Sequence, residues 1–427
     1  MTNIITLIND KLWIILIFLI MIISIYYSFK FHFIQFRFDR MFKYLFKKNI
    51  DKDGISSFNT LMLALAGRIG VGSISGVALA IYLGGPGTIF WIWIICILAT
   101  ILTYCETYLG IKYRQKDGKY YKGGPAYYIK NGLNNKLLGS LYAILIIITY
   151  VIFFVSIQSN TITKAVTSTF CISPLAMGII LAVITTMIIF GGLKKISDAT
   201  SKIVPVMSVL YICLAIYIII VNYSMIPKIF SLIITNALNV KSFISGFIPI
   251  MITGVQRGIF SSEAGIGTGS IAASSGTNNN PIEQGYIQML GIYITAFLIC
   301  TSTAIIILCS NYSTLTINDP NGIEIATSAF QYHLGSIGNY ILILSIILFA
   351  FSTVLSGYYY GESSLKYFFN KENSKYVNLL KIITIIVILY GSVASSSFIW
   401  AAADLFVCFL AMINIYAIFK LRKQIKK

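Results

Sequence analysis

The 427-residue sequence predicts an all-α polytopic membrane protein of about eleven spans, two of them interrupted halfway through the bilayer. Three observations carry this prediction. Hydrophobic residues make up 57% of the chain and charged residues only 11%, and apolar runs of roughly 20 residues recur from end to end, the length needed to cross hydrocarbon. The basic residues collect in short loops between alternate runs. Two of the runs are crowded with glycine and hydroxyl residues that a mere anchor has no use for.

The expected spans are 12–29, 58–83, 87–111, 138–165, 174–191, 203–222, 243–271, 284–309, 337–362, 378–396 and 397–419. The first lacks a basic n-region and a small-residue cleavage site, so it reads as a retained helix and not a signal peptide. The second carries GRIGVGSISG at 67–76, and the third is continuous. After it, YYKGGPAYYI at 120–129 reads as a turn followed by a short re-entry helix. The fourth span ends on the polar SIQSN, the fifth and sixth are plain apolar runs, and residues 223–242 connect to the second half. The seventh span contains GVQRGIFSSEAGIGTGS at 254–270. SGTNNNPIEQ at 275–284 is a polar loop without Lys or Arg. The stretch 311–337, with Asp319 and Glu324, is expected to form a short surface helix on the outer side, part of a lid. A short turn near Ala394–Ser397 divides the last two spans.

With the N-terminus outside, 26 of the 32 Lys and Arg residues fall on the cytoplasmic side, among them Lys48, Lys52 and Lys371 in loops and five in the tail 420–427. Four stay outside: Lys11, Lys164, Lys228 and Lys241. This asymmetry gives an inner-membrane protein with a cytoplasmic C-terminus, and it accounts for the net charge of +18 without nucleic acid as a partner. The seven cysteines lie in or beside apolar segments without metal-ligand spacing, and read as small packing residues.

The same map divides the chain. Residues 1–57 form an N-terminal span and basic linker, 58–222 a first block of five spans, 243–419 a second block, and 420–427 the tail. The glycine-rich second and seventh spans open the two blocks from opposite faces of the membrane. A glycine in mid-helix costs about 1 kcal/mol relative to alanine. A helix break in hydrocarbon strands peptide groups at several kcal/mol each unless protein or a wet cavity lines it. What such a break supplies is a helix end at the midplane. Freed N–H groups suit a carboxylate and freed carbonyls suit a sodium ion. Two interrupted spans in corresponding positions of inverted halves point to a transporter binding site. A small-residue packing face is the other use of such glycines, and Gly72 with Gly76 has its spacing.

The strings LALAGRIGVGSISGVALAIYLGGPGTIFWIW (63–93), KYRQKDGKYYKGGPAYYI (112–129), SIQSN (156–160), IVPVMSVLY (203–211), RGIFSSEAGIGTGSIAA (257–273), ICTSTAIIIL (299–308), FAFSTVLSGYYYGE (349–362) and WAAAD (400–404) resemble the sodium/alanine (alanine or glycine:cation) symporter family in order and spacing along almost the whole chain. The resemblance implies an ion-coupled amino-acid transporter with the five-plus-five inverted-repeat bundle of the leucine-transporter superfamily, preceded by one extra helix. The chain departs from the family's pattern at Val71 and Ser73, where G-T-G-N is usual, at Ser262, where Asn is usual, and at Thr295, where an acid is common.

The resemblance places the hydroxyls of Ser352 and Thr353 at a Na⁺ site, joined by carbonyls near Ala66, Gly67 and Ile69 of the interrupted second span. Sodium is a hard cation that needs several oxygens, and hydroxyls with carbonyls supply them without a full charge. Back-bonding of the two hydroxyls to their own helix is the competing use. Gly70, Val71, Gly72 and Ser73 are expected to grip a substrate carboxylate through N–H groups. Gly265, Gly267 and Thr268 are expected to face them and offer carbonyls to an ammonium. Gln158 matches a family glutamine, and either contacts substrate or makes an interhelical bond. Asn160 reads as structural. Trp400 either closes the site or anchors at the interface.

Arg68 and Arg257 are expected to pair with Glu263 or Asp404 as gate or helix-break supports, since intramembrane charges are costly alone. Glu106 and Glu362 read either as paired or functional acids or as charges snorkelling from helix ends. No paired catalytic acids, His-rich metal motif or serine–histidine arrangement lies in the spans, so no enzyme is expected. The function expected is Na⁺-driven uptake of a small neutral amino acid, alanine or glycine. Proton coupling on the same fold, or a non-transporting sensor, are the alternatives.

Overall fold

The computed structural model describes residues 2–47, 54–238, 246–311, 322–369, 375–394 and 397–427. Lys48, Lys52, Lys241, Asp319, Lys371 and the start of the expected seventh span lie outside the described residues.

The fold is helical. In chain order the main helices are α1 (Thr2–Lys30), α2 (Phe38–Leu45), α3 (Ser57–Arg68), α4 (Gly72–Gly84), α5 (Gly87–Lys112), α6 (Pro125–Gly132), α7 (Lys136–Thr167), α8 (Pro174–Ile189) and α9 (Gly192–Val221). They continue with α10 (Ile226–Ala237), α11 (Ile248–Ser262), α12 (Thr268–Ser274), α13 (Pro281–Leu308), α14 (Ile323–Leu334), α15 (Ser336–Leu365), α16 (Lys375–Val393) and α17 (Ser397–Lys420). Among the described residues eight helices are long and apolar enough to cross a membrane, and the bent pair α3–α4 makes a ninth span. The other two expected spans are the 16-residue apolar α8 and the interrupted pair α11–α12.

The all-α expectation needs one amendment. Gln115–Asp117 and Tyr120–Lys122 form a two-stranded antiparallel hairpin, β1–β2, before the re-entry helix α6. A short helix does form within the stretch 311–337, as α14.

Side chains explain the arrangement. Large apolar residues such as Phe18, Ile22, Val206, Val209, Ile220 and Ile386 stay exposed on the bundle's outside, where lipid takes the place of water. Inside, α1 packs on α17 and α5, burying Trp13, Leu16, Ile20 and Tyr27. Two cross-bonds tie it down: Asn9 Nδ2 donates to the Ala401 carbonyl (2.8 Å) and the Tyr27 hydroxyl to the Ile418 carbonyl (2.8 Å). The centre of the bundle is polar. Arg68, Glu106, Gln158, Glu263, Thr268, Ser352 and Thr353 are each at most 2% exposed, a density that hydrocarbon does not tolerate without partners.

Both predicted interruptions exist. The second span bends by 53° between α3 and α4. The turns at Gly72–Gly76 are widened to π geometry, a form concentrated at functional sites. The seventh span breaks at 263–267, where Glu263 (φ 55°), Gly265 (φ 81°) and Gly267 (φ 110°) take left-handed backbone conformations. A side chain at Gly267 would be strained and would also meet Pro125 and the Tyr142 hydroxyl, each 2.4 Å from its Cβ.

Candidate functional site

The site is built around the first break. There α3 ends at Arg68, and the chain turns through Ile69, Gly70 and Val71 before α4. The carbonyls released by the bend find side chains from three other elements. From α15, Thr353 Oγ1 donates to the Ala66 carbonyl at 2.8 Å, and Ser352 Oγ lies 3.5 Å from the same oxygen. Both hydroxyls also reach the Phe349 carbonyl of their own helix, at 3.0 and 2.9 Å. The back-bonding foreseen for this pair is therefore made, and the same hydroxyls also reach the Ala66 carbonyl of the broken span. From α11, Ser261 Oγ donates to the Gly72 carbonyl (3.1 Å). From α13, Thr303 Oγ1 donates to the Ser73 carbonyl (2.8 Å) and is held by the Tyr211 hydroxyl of α9 (2.8 Å).

Gly70 is required by contact. A Cβ there would lie 2.4 Å from Thr353 Oγ1 and 3.4 Å from Gln158 Oε1. Gln158 makes the interhelical bond: its Oε1 accepts from the Val71 N–H at 3.2 Å. The Ser73 N–H donates to the Gly70 carbonyl (3.1 Å), so two of the four N–H groups expected to hold a carboxylate already have acceptors. Ser73 Oγ turns back to the Arg68 carbonyl (3.3 Å). Ala66, Gly67 and Ile69 are all buried at the bend; the Ile69 N–H closes the last turn of α3 on Leu65 (2.7 Å). Gly67 faces the Tyr360 hydroxyl and Glu263 Oε2.

The second break corrects one expectation. Gly265, Gly267 and Thr268 turn to other partners than the Gly70–Ser73 segment. The Gly265 carbonyl accepts from Asn414 Nδ2 (2.9 Å), and the neighbouring Ile266 carbonyl accepts from the Tyr142 hydroxyl (2.7 Å). Thr268 Oγ1 donates to Glu263 Oε2 (2.7 Å), while the Tyr150 hydroxyl donates to Glu263 Oε1 (2.8 Å). The break is closed on itself because each freed carbonyl in hydrocarbon must be matched. The α11 residues that meet the first break are Phe260 and Ser261, whose side chains lie 3.1 and 3.5 Å from where a Cβ on Gly72 would stand.

The charges are also partly re-assigned. Arg257 Nη2 pairs with Asp404 Oδ2 at 3.2 Å, and Gln256 Nε2 supports the same oxygen at 3.3 Å. Glu263 is held by hydroxyls and makes no ion pair with Arg68 among the described residues. Arg68 Nη1 instead donates to the Gln288 carbonyl (3.2 Å), with the guanidinium seated against Gly269 and Gly291. Glu106 is fully buried, not at a snorkelling end, and accepts from Asn414 Nδ2 (3.0 Å). Glu362 pairs with Lys366 (2.9 Å).

Beside the first break, where Phe260 meets Gly72, stands an aromatic column. Tyr150 packs on Phe154 (4.6 Å between ring centroids), Phe154 stacks on Phe260 (5.0 Å), and Phe260 packs on Trp400 (5.5 Å). The Arg257 guanidinium lies 5.9 Å from the Trp400 ring, so the aromatic cover and the ion pair form one unit. Asn160 is structural, as expected: its Nδ2 donates to the Gly391 and Ala394 carbonyls (3.0 and 2.8 Å). Thr295 Oγ1 bonds the Gly291 carbonyl of its own helix (3.0 Å).

Several partners were not foreseen: Asn414, Tyr150, Tyr142, Ser261 and Thr303. The available signal was weak but physical. A lone Asn inside an apolar run, as at 414, needs a polar partner in a membrane.

A bundle in which two spans are interrupted, with the carbonyls at the breaks met by hydroxyl and amide side chains of other helices, has the architecture of a secondary membrane transporter. The chain belongs to the Sodium:alanine symporter family, which it matches over residues 1–427. It is 38% identical to the amino-acid carrier protein AlsT of Bacillus subtilis over 412 residues, covering 96% of this chain and 87% of that protein. It is 34% identical to the sodium/alanine symporter AgcS of Methanococcus maripaludis over 372 residues, covering 85% and 81%. Among solved structures it resembles MhsT in complex with L-phenylalanine, with a TM-score of 0.57 at 14% identity over 85% of this chain and 89% of that one. The manganese transporter of Eremococcus coleocola gives 0.60 at 13% identity over 88% and 82%. At such identities these likenesses speak for the fold alone, which is of the expected leucine-transporter type.

Proposed function

We propose that the protein couples inward movement of Na⁺ to uptake of a small neutral amino acid, alanine or glycine, by alternating access. The observation that carries this reading is the convergence of four oxygens at the first break: Ser352 Oγ, Thr353 Oγ1 and the carbonyls of Ala66 and Phe349. All are neutral and buried, which suits a monovalent hard cation. Gly67 and Ile69 border the same bend. Sodium bound here joins α3 to α15, so it favours the conformation in which those helices are close. That differential affinity is what couples ion to solute.

The solute belongs beside the same break, against Gly70, Val71, Gly72 and Ser73, with Gln158 next to it. Phe260 and Trp400 cover it, and the bulk of Phe260 against Gly72 favours a small side chain. The Arg257–Asp404 pair serves as the outer closure and the Glu263–Thr268–Tyr150 cluster as the support of the second break. The two blocks 58–222 and 243–419 act as inverted halves, with the N-terminus outside and the C-terminus in the cytoplasm.

The name of one relative, a probable sodium/glutamine symporter of Bacillus subtilis that is 38% identical over 423 residues, makes side-chain size the property to test. Proteoliposome uptake of radiolabelled glycine, L-alanine, D-alanine and L-glutamine is measured with and without an inward Na⁺ gradient. Equal uptake in Na⁺ and choline overturns sodium coupling. Saturable binding without uptake supports the sensor reading instead.

A further inference from the structure

A second polar site lies away from the sodium-linked break, at the end of the molecule that the charge pattern assigns to the cytoplasm. A cavity of about 250 Å³ opens there between the β1–β2 hairpin, the corner joining α8 to α9, the last turns of α15 and the start of α16. Its charged walls are unequal. Four lysines face it, one from each element (Lys122, Lys194, Lys366 and Lys381), against two carboxylates, Asp117 and Glu362.

Two of the four lysines are already matched. Lys366 Nζ lies 2.9 Å from Glu362 Oε1 and 3.2 Å from Asp117 Oδ2. Burial alone lowers the Lys366 pKa, but Glu362 and Asp117 together raise it above the ordinary lysine value, so it stays charged. Lys122 Nζ lies 3.5 Å from Asp117 Oδ1 and also donates to the Lys366 carbonyl (3.2 Å). Lys194 and Lys381 have no carboxylate partner among the described residues; Lys381 rests 4.7 Å from the Phe190 ring centroid. The cavity thus carries two ammonium groups in excess.

Two buried polar atoms on its wall also lack partners among the described residues. Ser363 Oγ and Glu362 Oε2 belong to side chains 3% and 6% exposed, and neither finds a hydrogen bond there. A donor and an acceptor left bare at such burial cost about 1–3 kcal/mol each unless something occupies the space beside them.

We propose that this cavity binds a phosphate-bearing anion. Its phosphoryl oxygens accept from the Lys194 and Lys381 ammonium groups and from the Ser363 hydroxyl, while a hydroxyl of the ligand donates to Glu362 Oε2. The surrounding Lys122–Asp117–Lys366–Glu362 chain holds the hairpin against the end of α15, so the ligand sits on the helix that also carries Ser352 and Thr353 and stabilises its position. Two sources share this chemistry: the headgroup of an anionic lipid, and a free phosphate compound of the cytosol.

The test reads binding, not uptake, so it stands apart from the transport assay. The purified full-length protein in lipid-free detergent is titrated with radiolabelled inorganic phosphate. Separately, it is reconstituted in mixed phosphatidylglycerol and phosphatidylcholine, and the lipid retained on release is counted by native mass spectrometry. Lys194→Gln/Lys381→Gln is expected to lose at least tenfold in phosphate affinity or in retained phosphatidylglycerol. Ser363→Ala is expected to lose severalfold, and Lys194→Arg/Lys381→Arg to keep binding. Loss in the phosphate arm assigns a soluble ligand, and loss confined to the lipid arm assigns a headgroup. Wild-type binding matched by the double Gln variant overturns the proposal. So does an equal loss in Lys423→Gln/Lys426→Gln, which removes the same charge from the tail, because general surface attraction then explains everything.

Discussion

The Thr353 hydroxyl of α15 donates to the Ala66 carbonyl of α3 at 2.8 Å, across 287 residues of sequence and at the point where the second span breaks. Ser352 approaches the same carbonyl at 3.5 Å. These contacts join a continuous helix to an interrupted one through oxygens alone. Removing one such hydroxyl forfeits about 1 kcal/mol, which corresponds to roughly fivefold in an equilibrium constant. Thr353→Ala and Ser352→Ala are each expected to raise the Na⁺ concentration for half-maximal uptake several-fold, and Thr353→Ser to change it little. Half-saturation unchanged in the double alanine variant removes the ion from this position.

Gly70 tests the same place by volume instead of chemistry. Its missing Cβ leaves room for Thr353 Oγ1, 2.4 Å from where a methyl would stand. Both groups are buried, so neither can yield cheaply. Gly70→Ala is expected to abolish Na⁺-driven uptake while the protein still inserts and purifies as a monodisperse species. Gly70→Ala combined with Thr353→Gly relieves the clash, and recovery of thermal stability without recovery of Na⁺ dependence is the expected pattern.

The Arg257–Asp404 pair has side chains only 13% and 8% exposed. Breaking a buried pair from one side leaves an unmatched charge and costs about 3–5 kcal/mol. Asp404→Asn is therefore expected to lower the melting temperature of the purified protein clearly. Replacing both partners, as Arg257→Met/Asp404→Leu, is expected to restore most of the loss, yet to leave the outer side leaky. Cysteine accessibility from outside measures that leak. A melting temperature unmoved by Asp404→Asn contradicts the role.

His333, on α14, sets a pH dependence. Its Nε2 lies 2.9 Å from the Ile306 carbonyl. Burial lowers its pKa below the ordinary 6.5, outweighing the carbonyl, which raises it. Near and below that value the unfolded side chain binds more protons than the folded one. The stability of the fold that buries His333 as a neutral ring is therefore fully present above about pH 6.5 and is lost as the pH falls through the lower folded pKa, although the carbonyl contact itself favours the protonated ring. Amide hydrogen exchange over 323–334 is expected to quicken between pH 7 and pH 5.5, after correction for intrinsic rates. His333→Gln should show no such step.

The parts of the fold legible in the sequence share one cause. In hydrocarbon the backbone must satisfy itself, so long apolar runs become helices wherever they occur, and interruptions announce themselves as glycine and polar residues. Both breaks, Ser352 with Thr353, and the structural role of Asn160 follow from that logic and from the family's motifs. The orientation of 263–268 did not. Sequence position puts Gly265, Gly267 and Thr268 level with the first break, but three left-handed residues turn the chain toward Asn414, Tyr142 and Glu263 instead.

By itself the sequence determined which segments become long apolar helices, which of them break, and which residue types gather at the breaks, because these depend on local hydropathy and backbone chemistry. Only the tertiary structure decided which partner each freed peptide group meets. Arg257 chose Asp404, Arg68 took the Gln288 carbonyl, and Phe260 and Ser261 took the place beside Gly72. Such choices depend on the rotation and height of one helix against another, and those are set by the summed packing of side chains hundreds of residues apart.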